Sequence, residues 1–186
     1  MFRTFAVLAG LVGVAAILSA QAIDPDTFKV SYFSNNMTRP DSTVRLTNAG
    51  TSGGNVCADI YVFDPNQELS ECCSCLVTPD GLIELDVHFD LTSNPLTGVV
   101  LDTGDIKIVS AAVSGGACTL PTAPKTAAGI RAWATHLQNN GSLTETEFLD
   151  SGMSAAELSR LAAQCKAIQL VGSEKGVCTC NPEDNG

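Results

Sequence analysis

The chain has 186 residues, a net charge of −10 at pH 7, 45% hydrophobic residues and eight cysteines. This length corresponds to about one domain and is enough to bury a hydrophobic core. The acidic balance opposes binding to nucleic acid and to anionic membranes, so we exclude both classes of partner.

The first 22 residues have the pattern of a secretory signal peptide. Arg3 precedes an apolar run over residues 5–18, and residues 20–22 read AQA, the A-x-A form of a cleavage site. The run is too short for a stable membrane span, although an uncleaved N-terminal anchor is the alternative. We therefore predict cleavage of residues 1–22 and export to the periplasm or the extracellular space. The mature chain is predicted to have no membrane span and, without Arg3, a net charge of −11.

The middle of the chain alternates short apolar segments with turn-forming residues, which is typical of β-strands. Apolar and polar residues alternate between Leu82 and Asp90, which predicts a strand with one buried and one solvated face. The preceding TPDG turn predicts a hairpin, because Pro79 fixes φ and Gly81 accepts a positive φ. A strand over residues 57–64 extends this hairpin to a three-stranded meander. Further strands are predicted over residues 28–33, 43–48, 106–111 and 130–137.

Short strands at this spacing predict an all-β fold, an immunoglobulin-like antiparallel β-sandwich over residues 23–140. A helix follows, because residues 154–157 (SAAE) form a capping box and Gly172 supplies its end. One apolar stripe runs along this helix: Leu158, Leu161, Cys165 and Ile168. We predict that residues 141–186 form a short C-terminal α-helix and a cysteine tail packed on the sandwich.

All the cysteines lie in the exported part of the chain: Cys57, Cys72, Cys73, Cys75, Cys118, Cys165, Cys178 and Cys180. Cysteines pair in oxidising compartments, so we predict that the fold is stapled by up to four disulfides. On a strand, Cys73 and Cys75 share one face and Cys72 lies on the other. We expect the partners of this cluster among Cys57, Cys118 and the C-terminal cysteines. A bond from Cys165 to Cys178 or Cys180 is one pairing that would fix the helix against the tail.

A metal site is the alternative use of these residues. Four sulfurs are available at Cys73, Cys75, Cys178 and Cys180, but zinc sites usually draw cysteines as C-x₂₋₄-C pairs, and oxidation during export competes with binding. Four side chains that can bind metal line the solvated face of one strand: Glu84, Asp86, His88 and Asp90. Residues two apart on a strand lie about 7 Å apart, too far to share an ion. We therefore assign no metal ligands and no cofactor.

The string VVLDTGD (residues 99–105) is the best catalytic candidate in the chain. Aspartic proteases carry Asp-Thr-Gly after two apolar residues, and their mechanism needs two aspartates that share a proton. Here Asp105 stands where that family has a small residue, and no second Asp-Thr-Gly follows, so a turn at Thr103-Gly104 is the alternative. His136 is predicted to be an edge or surface residue rather than a base. We predict no catalytic residue and a non-enzymatic protein.

Three segments, residues 44–85, 90–98 and 154–180, resemble a family of secreted cysteine-rich proteins common in acidobacterial genomes. The shared pattern is the cysteines, the turn before Leu82 and the C-terminal helix with its cysteine tail. The resemblance implies bacterial export and a cysteine-framed scaffold; the family has no known activity, so it implies no catalytic residue. The Asp102 string lies outside the shared pattern.

These observations predict a secreted or cell-envelope structural or binding module that is stabilised by disulfides. Its partner is expected to be a protein or a glycan at the cell surface. The alternatives are a secreted metal-binding protein that uses the sulfur cluster or the acidic strand face, and an aspartic-type hydrolase that uses Asp102.

Overall fold

The computed structural model describes residues 22–23, 27–35, 42–120, 124–138 and 140–180. The predicted signal peptide lies outside these ranges, apart from Ala22. Within them, no helix combines the length and the apolar character needed to cross a membrane.

The described residues form strands and one α-helix. In chain order these are β1 (Ala22–Ile23), β2 (Phe28–Ser34), β3 (Thr43–Asn48), β4 (Val56–Phe63), β5 (Leu69–Val77), β6 (Leu82–Asp86), β7 (Thr103–Ala112), β8 (Ile130–Leu137), β9 (Leu143–Glu147), β10 (Leu149–Asp150), β11 (Met153–Ser154) and α1 (Ala155–Val171). A five-stranded sheet has the order β10-β2-β7-β4-β5, a four-stranded sheet has the order β6-β3-β8-β9, and β1 pairs with β11. Neighbouring strands are antiparallel in all three sheets.

The two larger sheets enclose a common hydrophobic core. The four-stranded sheet contributes Val44, Leu46, Leu85, Ile130 and Ala132, and the five-stranded sheet contributes Ala58, Ile60, Val62, Ile106 and Ile108. Each group recurs at every second position along its strands, as the alternation of side chains on a strand requires. The predicted all-β antiparallel sandwich with a C-terminal helix and disulfide staples is confirmed.

Helix α1 covers the opposite face of the five-stranded sheet, which we call the outer face. Ser154 caps the helix, because its side chain accepts a hydrogen bond from Glu157 N at 3.1 Å. The predicted apolar stripe is confirmed: its four residues are buried against Phe28, Tyr61 and Val109 of the outer face. With both faces of the sheet covered, all eight residues of β4 are buried.

The strand predicted to continue to Asp90 ends at Asp86. A single π-helical turn spans Val87–Leu91, because the Asp86 carboxylate accepts hydrogen bonds from the backbone N atoms of His88 and Phe89 at 2.7 and 2.8 Å. The turn reverses the expected burial: Phe89 is 51% exposed, whereas Asp90 is buried. The predicted alternation of apolar and polar faces therefore stops four residues earlier than expected.

The sandwich extends beyond residue 140. Strand β9 pairs with β8 in the four-stranded sheet, and β10 pairs with β2 in the five-stranded sheet. Between them Phe148 is buried in the common core, where the chain passes from one sheet to the other. Residues 143–150 thus belong to the sheets rather than to the C-terminal helix and tail.

The free edge of β5 is covered by the segment that follows α1. Cys72 N donates to Gly176 O at 2.9 Å, and Cys72 and Val177 form a parallel bridge. The loop before β7 adds a bond from Leu96 N to Ser70 O at 3.1 Å. Uncovered edge strands pair with other chains, so this cover protects the sheet from edge-to-edge association.

The glycine of the D-T-G string is explained by packing. Gly104 lies in β7 directly opposite Phe33, and a Cβ at this position would lie 2.8 Å from the Phe33 ring and in conflict with the carbonyl oxygen of Phe63. We expect Gly104→Ala to lower the free energy of unfolding by about 1–3 kcal/mol, because the backbone of β4 must move. Urea denaturation measures this.

Gly152→Ala is the matched control, because a Cβ there meets nothing within 4 Å. It should leave the free energy of unfolding within about 0.5 kcal/mol of the wild type. Equal effects of the two substitutions would show that packing around Gly104 is not what demands glycine.

Candidate functional site

The cysteines form four disulfides: Cys57–Cys118, Cys72–Cys165, Cys73–Cys178 and Cys75–Cys180. No described cysteine is free. The alternation predicted for the cluster on β5 explains this pattern, because Cys72 faces α1 whereas Cys73 and Cys75 belong to the core between the sheets. The cluster is therefore a set of staples.

Two expectations about the pairing were wrong. Cys165 bonds to Cys72 rather than to Cys178 or Cys180, because the buried stripe of α1 lies over the face of β5 that carries Cys72. Cys57 and Cys118 bond to each other and so take no part in the cluster.

The sulfur cluster does not supply metal ligands in this state. The Sγ atoms of Cys73, Cys75 and Cys180 lie within 4.8 Å of one another, the one such group of three or more donor side chains in the described ranges. All three sulfurs belong to disulfides, whereas a metal needs thiolates. In place of the alternative four-sulfur site, the four cysteines form two adjacent covalent bonds.

The acidic strand face is not assembled as a metal site either. Asp86 caps the π-helical turn, and the Asp90 carboxylate accepts from Asp86 N at 2.7 Å. Glu84 forms an ion pair with Arg45 on the neighbouring strand. His88 Nδ1 lies 3.2 Å from Asn35 Nδ2. Each of the four side chains therefore has a structural partner.

Asp102 lies in the loop before β7, and its carboxylate is exposed to solvent. Its carbonyl oxygen accepts a hydrogen bond from Asn35 N at 2.6 Å. Thr103 begins β7, so the alternative interpretation of a turn at Thr103-Gly104 was wrong. Gly104 is required because a side chain there would collide with the Phe63 carbonyl oxygen and the Phe33 ring. The presence of glycine therefore does not indicate a catalytic role.

His136 is buried, with 4% of its surface exposed, so the prediction of an edge or surface residue was wrong. It occupies one of the inward-facing positions of β8, in step with Ala132 and Ala134. Its Nε2 lies 2.8 Å from Thr146 Oγ1, and burial lowers its pKa from the usual value. Its ring stacks on Tyr32 with a centroid distance of 4.5 Å and an interplanar angle of 22°.

A cleft of about 810 Å³ opens on the part of the outer face that α1 leaves uncovered; we call it the Tyr32 cleft. Its floor crosses three strands, because Asp105 of β7 pairs with Tyr32 of β2 on one side and with Phe63 of β4 on the other. Its walls are Arg160 of α1 and the β4–β5 turn. The lining residues are Tyr32, Phe33, Ser34, Phe63, Asp64, Pro65, Gln67, Thr103, Gly104, Asp105, Lys107 and Arg160.

The two cations of the Tyr32 cleft are paired with one carboxylate. Glu157 accepts hydrogen bonds from Arg160 Nε at 2.7 Å and Nη2 at 2.6 Å, and its Oε1 lies 3.5 Å from Lys107 Nζ. Arg160 and then Lys107 hold the pKa of Glu157 below its usual value. Lys107 Nζ also lies 4.7 Å from the centre of the Phe63 ring, a cation–π contact.

The carboxylates of the cleft have different surroundings. Asp64 Oδ1 accepts hydrogen bonds from the backbone N atoms of Asn66 and Glu68 at 2.9 and 2.8 Å, which holds the β4–β5 turn in shape. Asp105 is exposed in the floor of the cleft. The cleft thus offers a carboxylate, hydroxyls and an amide to a ligand, and both of its cations are already engaged by Glu157.

Sequence reasoning missed this cleft. The period-two pattern of β2 places Tyr32 on the same face as Phe28. No local sequence pattern shows that α1 covers Phe28 and leaves Tyr32 exposed. The D-T-G string was singled out as a catalytic candidate, and two of its residues, Thr103 and Gly104, do line the cleft. The geometry of Asp102 does not favour the catalytic interpretation.

No protein-family model matches the chain, and comparison with curated proteins and with solved structures finds no significant match. Function is therefore argued from the site itself.

Proposed function

We propose that the protein is a secreted, non-enzymatic binding module, held rigid by disulfides, whose ligand site is the Tyr32 cleft. The observation that carries this proposal is the construction of the cleft. Its floor is the regular part of the five-stranded sheet, and one wall is a helix bonded to that sheet through Cys72–Cys165. Sites built on rigid elements lose little conformational entropy when they bind.

The side chains of the cleft support binding rather than catalysis. Among its described residues the acidic and basic side chains are Asp64, Asp105, Lys107 and Arg160. Lys107 and Arg160 are engaged by Glu157, and Asp64 holds its turn. An aspartic-type mechanism needs two carboxyls that share a proton, whereas Asp102 is exposed in the loop before β7 and the Asp150 carboxylate, of the later Asp-Ser-Gly string, is paired with Lys29 and Arg131. What remains is hydrogen bonding and aromatic contact.

The disulfides support export, because bonds of this kind form and persist outside the cytosol. They also weaken the metal-binding alternative, since they occupy the sulfur ligands. Export and the absence of free sulfur ligands among the described residues both fit a protein or glycan partner at the cell surface.

The test is chemical-shift mapping on ¹⁵N-labelled protein without residues 1–22, with its disulfides intact. The probes are defined oligosaccharides, short peptides and a library of small polar fragments. We expect the probes that bind to shift the amide signals of residues 103–105 and of Asp64, Asn66 and Gln67. Thr103→Trp, which fills the cleft from an exposed strand position, should abolish these shifts.

Gln169→Trp is the matched control, because it adds the same side chain at an exposed position nine residues beyond Arg160 on α1. It should leave the shifts unchanged. Hits that map to the outer surface of the four-stranded sheet, or survive Thr103→Trp, would contradict the proposed site.

A further inference from the structure

Tyr32 is exposed, but its ring is supported on one face. It is 60% exposed, yet one face of its ring is covered by His136, which is buried and held by Thr146. An exposed aromatic ring is usually free to rotate about two torsions, and fixing it in advance lowers the entropy lost on binding. The remaining surface of the ring lies in the Tyr32 cleft and forms a flat, prepared platform.

Hydrogen-bonding groups surround this platform on the same part of the sheet. Asp105 is the cross-strand neighbour of Tyr32, and Ser34 lies opposite Thr103 two pairs further along. Gln67 reaches the cleft from the β4–β5 turn. All four of these neighbours are exposed. A carboxylate, two hydroxyls and an amide next to an apolar ring match a ligand that has one apolar face and many hydroxyls.

Charge distinguishes between neutral and anionic ligands of this kind. Lys107 and Arg160 are both within 3.5 Å of Glu157, so an anion would have to compete with that carboxylate for them. The chain as a whole carries a charge of −10, which repels polyanions at long range. Asp64 and Asp105 add negative charge at the cleft itself.

We infer that the Tyr32 cleft binds a neutral oligosaccharide, with one sugar ring stacked on Tyr32 and its hydroxyls bonded by Asp105 and the polar side chains beside it. The inference rests on the proposed function and names its ligand class. The cleft volume of about 810 Å³ lies within the range of small-molecule sites, about 300–1,000 Å³.

Isothermal titration with defined probes tests the inference. The neutral probes are hexasaccharides of β-1,4-glucose, β-1,4-N-acetylglucosamine, β-1,4-mannose, β-1,4-xylose and α-1,4-glucose; heparin and oligogalacturonate are the anionic ones. We expect at least one neutral probe to bind and both anionic probes to fail. Tyr32→Ala should weaken the binding about tenfold or more, and Tyr32→Trp, which keeps an aromatic face, should retain it.

Phe89→Ala is the matched control, because Phe89 is an exposed aromatic residue outside the cleft. It should leave the affinity unchanged. Circular dichroism spectra that match the wild type establish that each variant is folded.

The outcomes separate the inference from the proposed function. If no neutral probe binds while peptides or fragments still map to the cleft, the glycan inference is overturned and the proposed function stands. If an oligosaccharide binds equally to Tyr32→Ala and to Thr103→Trp, it binds elsewhere, and the proposed site fails together with the inference. Preferential binding of the anionic probes overturns the inference.

Discussion

Replacing Asp59 by Asn is expected to stabilise the protein above pH 7 and to change its stability little near pH 4. Asp59 is fully buried on the outer face of β4, where its Oδ1 accepts a hydrogen bond from Ser74 Oγ and its Oδ2 has no partner among the described residues. Burial raises the pKa of this carboxyl to about 7, although the Ser74 hydroxyl acts in the opposite direction.

Glu71, on the neighbouring strand β5, is expected to behave in the same way. It is fully buried, its Oε1 accepts a hydrogen bond from Asn94 N at 3.0 Å, and its Oε2 has no partner among the described residues. Burial raises its pKa to about 8, against the smaller opposing effects of Asn94 N and the Lys175 charge.

The direction of the pH effect follows from these raised pKa values. Between the ordinary pKa of 3.8 and about 7, folded Asp59 keeps a proton that the unfolded chain has released. The free energy of unfolding therefore falls as pH rises through this window, by up to about 1.4 kcal/mol per pH unit. For Glu71 the window runs from 4.5 to about 8. Each acid thus costs up to about 4 kcal/mol at pH 8, as an upper bound.

Urea denaturation at intervals from pH 4 to pH 8.5 measures this for the wild type, Asp59→Asn, Glu71→Gln and the double variant. We expect the difference from the wild type to grow with pH and to level off near pH 7 for Asp59→Asn and near pH 8 for Glu71→Gln. Burial lowers the pKa of His136, so the free energy of unfolding falls as pH drops below the ordinary value of 6.5. This contribution is the same in all variants.

The control for this series is Glu147→Gln, which neutralises an exposed carboxylate on β9. Its stability curve should run parallel to that of the wild type at every pH. A parallel curve for Asp59→Asn as well would mean that the buried carboxyl is not held protonated.

Removing the Cys72–Cys165 disulfide is expected to release α1 from the outer face of the five-stranded sheet. The bond joins positions 93 residues apart and is buried at both ends. The neighbouring Cys73–Cys178 bond shortens the loop that this bond closes to about 15 residues, which corresponds to about 3 kcal/mol of chain entropy, and measured losses for native disulfides are about 2–5 kcal/mol. Cys72→Ala/Cys165→Ala should therefore lower the free energy of unfolding by about 2–5 kcal/mol.

Hydrogen exchange of the α1 amides distinguishes local release from a general loss of stability. With the bond absent, these amides should exchange through local opening at lower free energy than the amides of β4 and β7. The comparison variant is Cys57→Ala/Cys118→Ala, which opens a loop of 61 residues remote from the helix. It should lower stability while α1 stays as well protected as the central strands. Equal loss of α1 protection in the two variants would show that packing alone holds the helix.

The local pattern of the sequence predicted the parts of the fold that depend on neighbouring residues. Strand β8 has the predicted bounds, and the helix begins at its capping box and buries its predicted stripe. The division of the β5 cysteines between two faces also followed from the period of a strand. In each of these cases the positions that decide the structure lie within a few residues of one another.

The parts that depend on distant packing were not predictable in this way. Strand β4 reads as a strand with Ala58, Ile60 and Val62 inward, but the pattern does not reveal that its other face is covered as well and that Asp59 is therefore buried. The burial of His136 and the exposure of Tyr32 have the same origin, because both depend on which surfaces the helix and the neighbouring sheet reach. The Tyr32 cleft begins where α1 stops covering the outer face, and no local sequence pattern marks that position.

The cover over the edge of β5 has a consequence for how the protein is made. Strand β5 is synthesised well before the segment that covers it, because the bonds from Cys73 and Cys75 each span 105 residues. During that interval β5 presents an open row of amide and carbonyl groups together with three unpaired thiols. The chain is then most vulnerable to pairing with another copy of itself, and oxidation to Cys178 and Cys180 ends that period. Secretion yield should therefore depend on the supply of oxidant and of disulfide isomerase more steeply than the stability of the finished protein suggests.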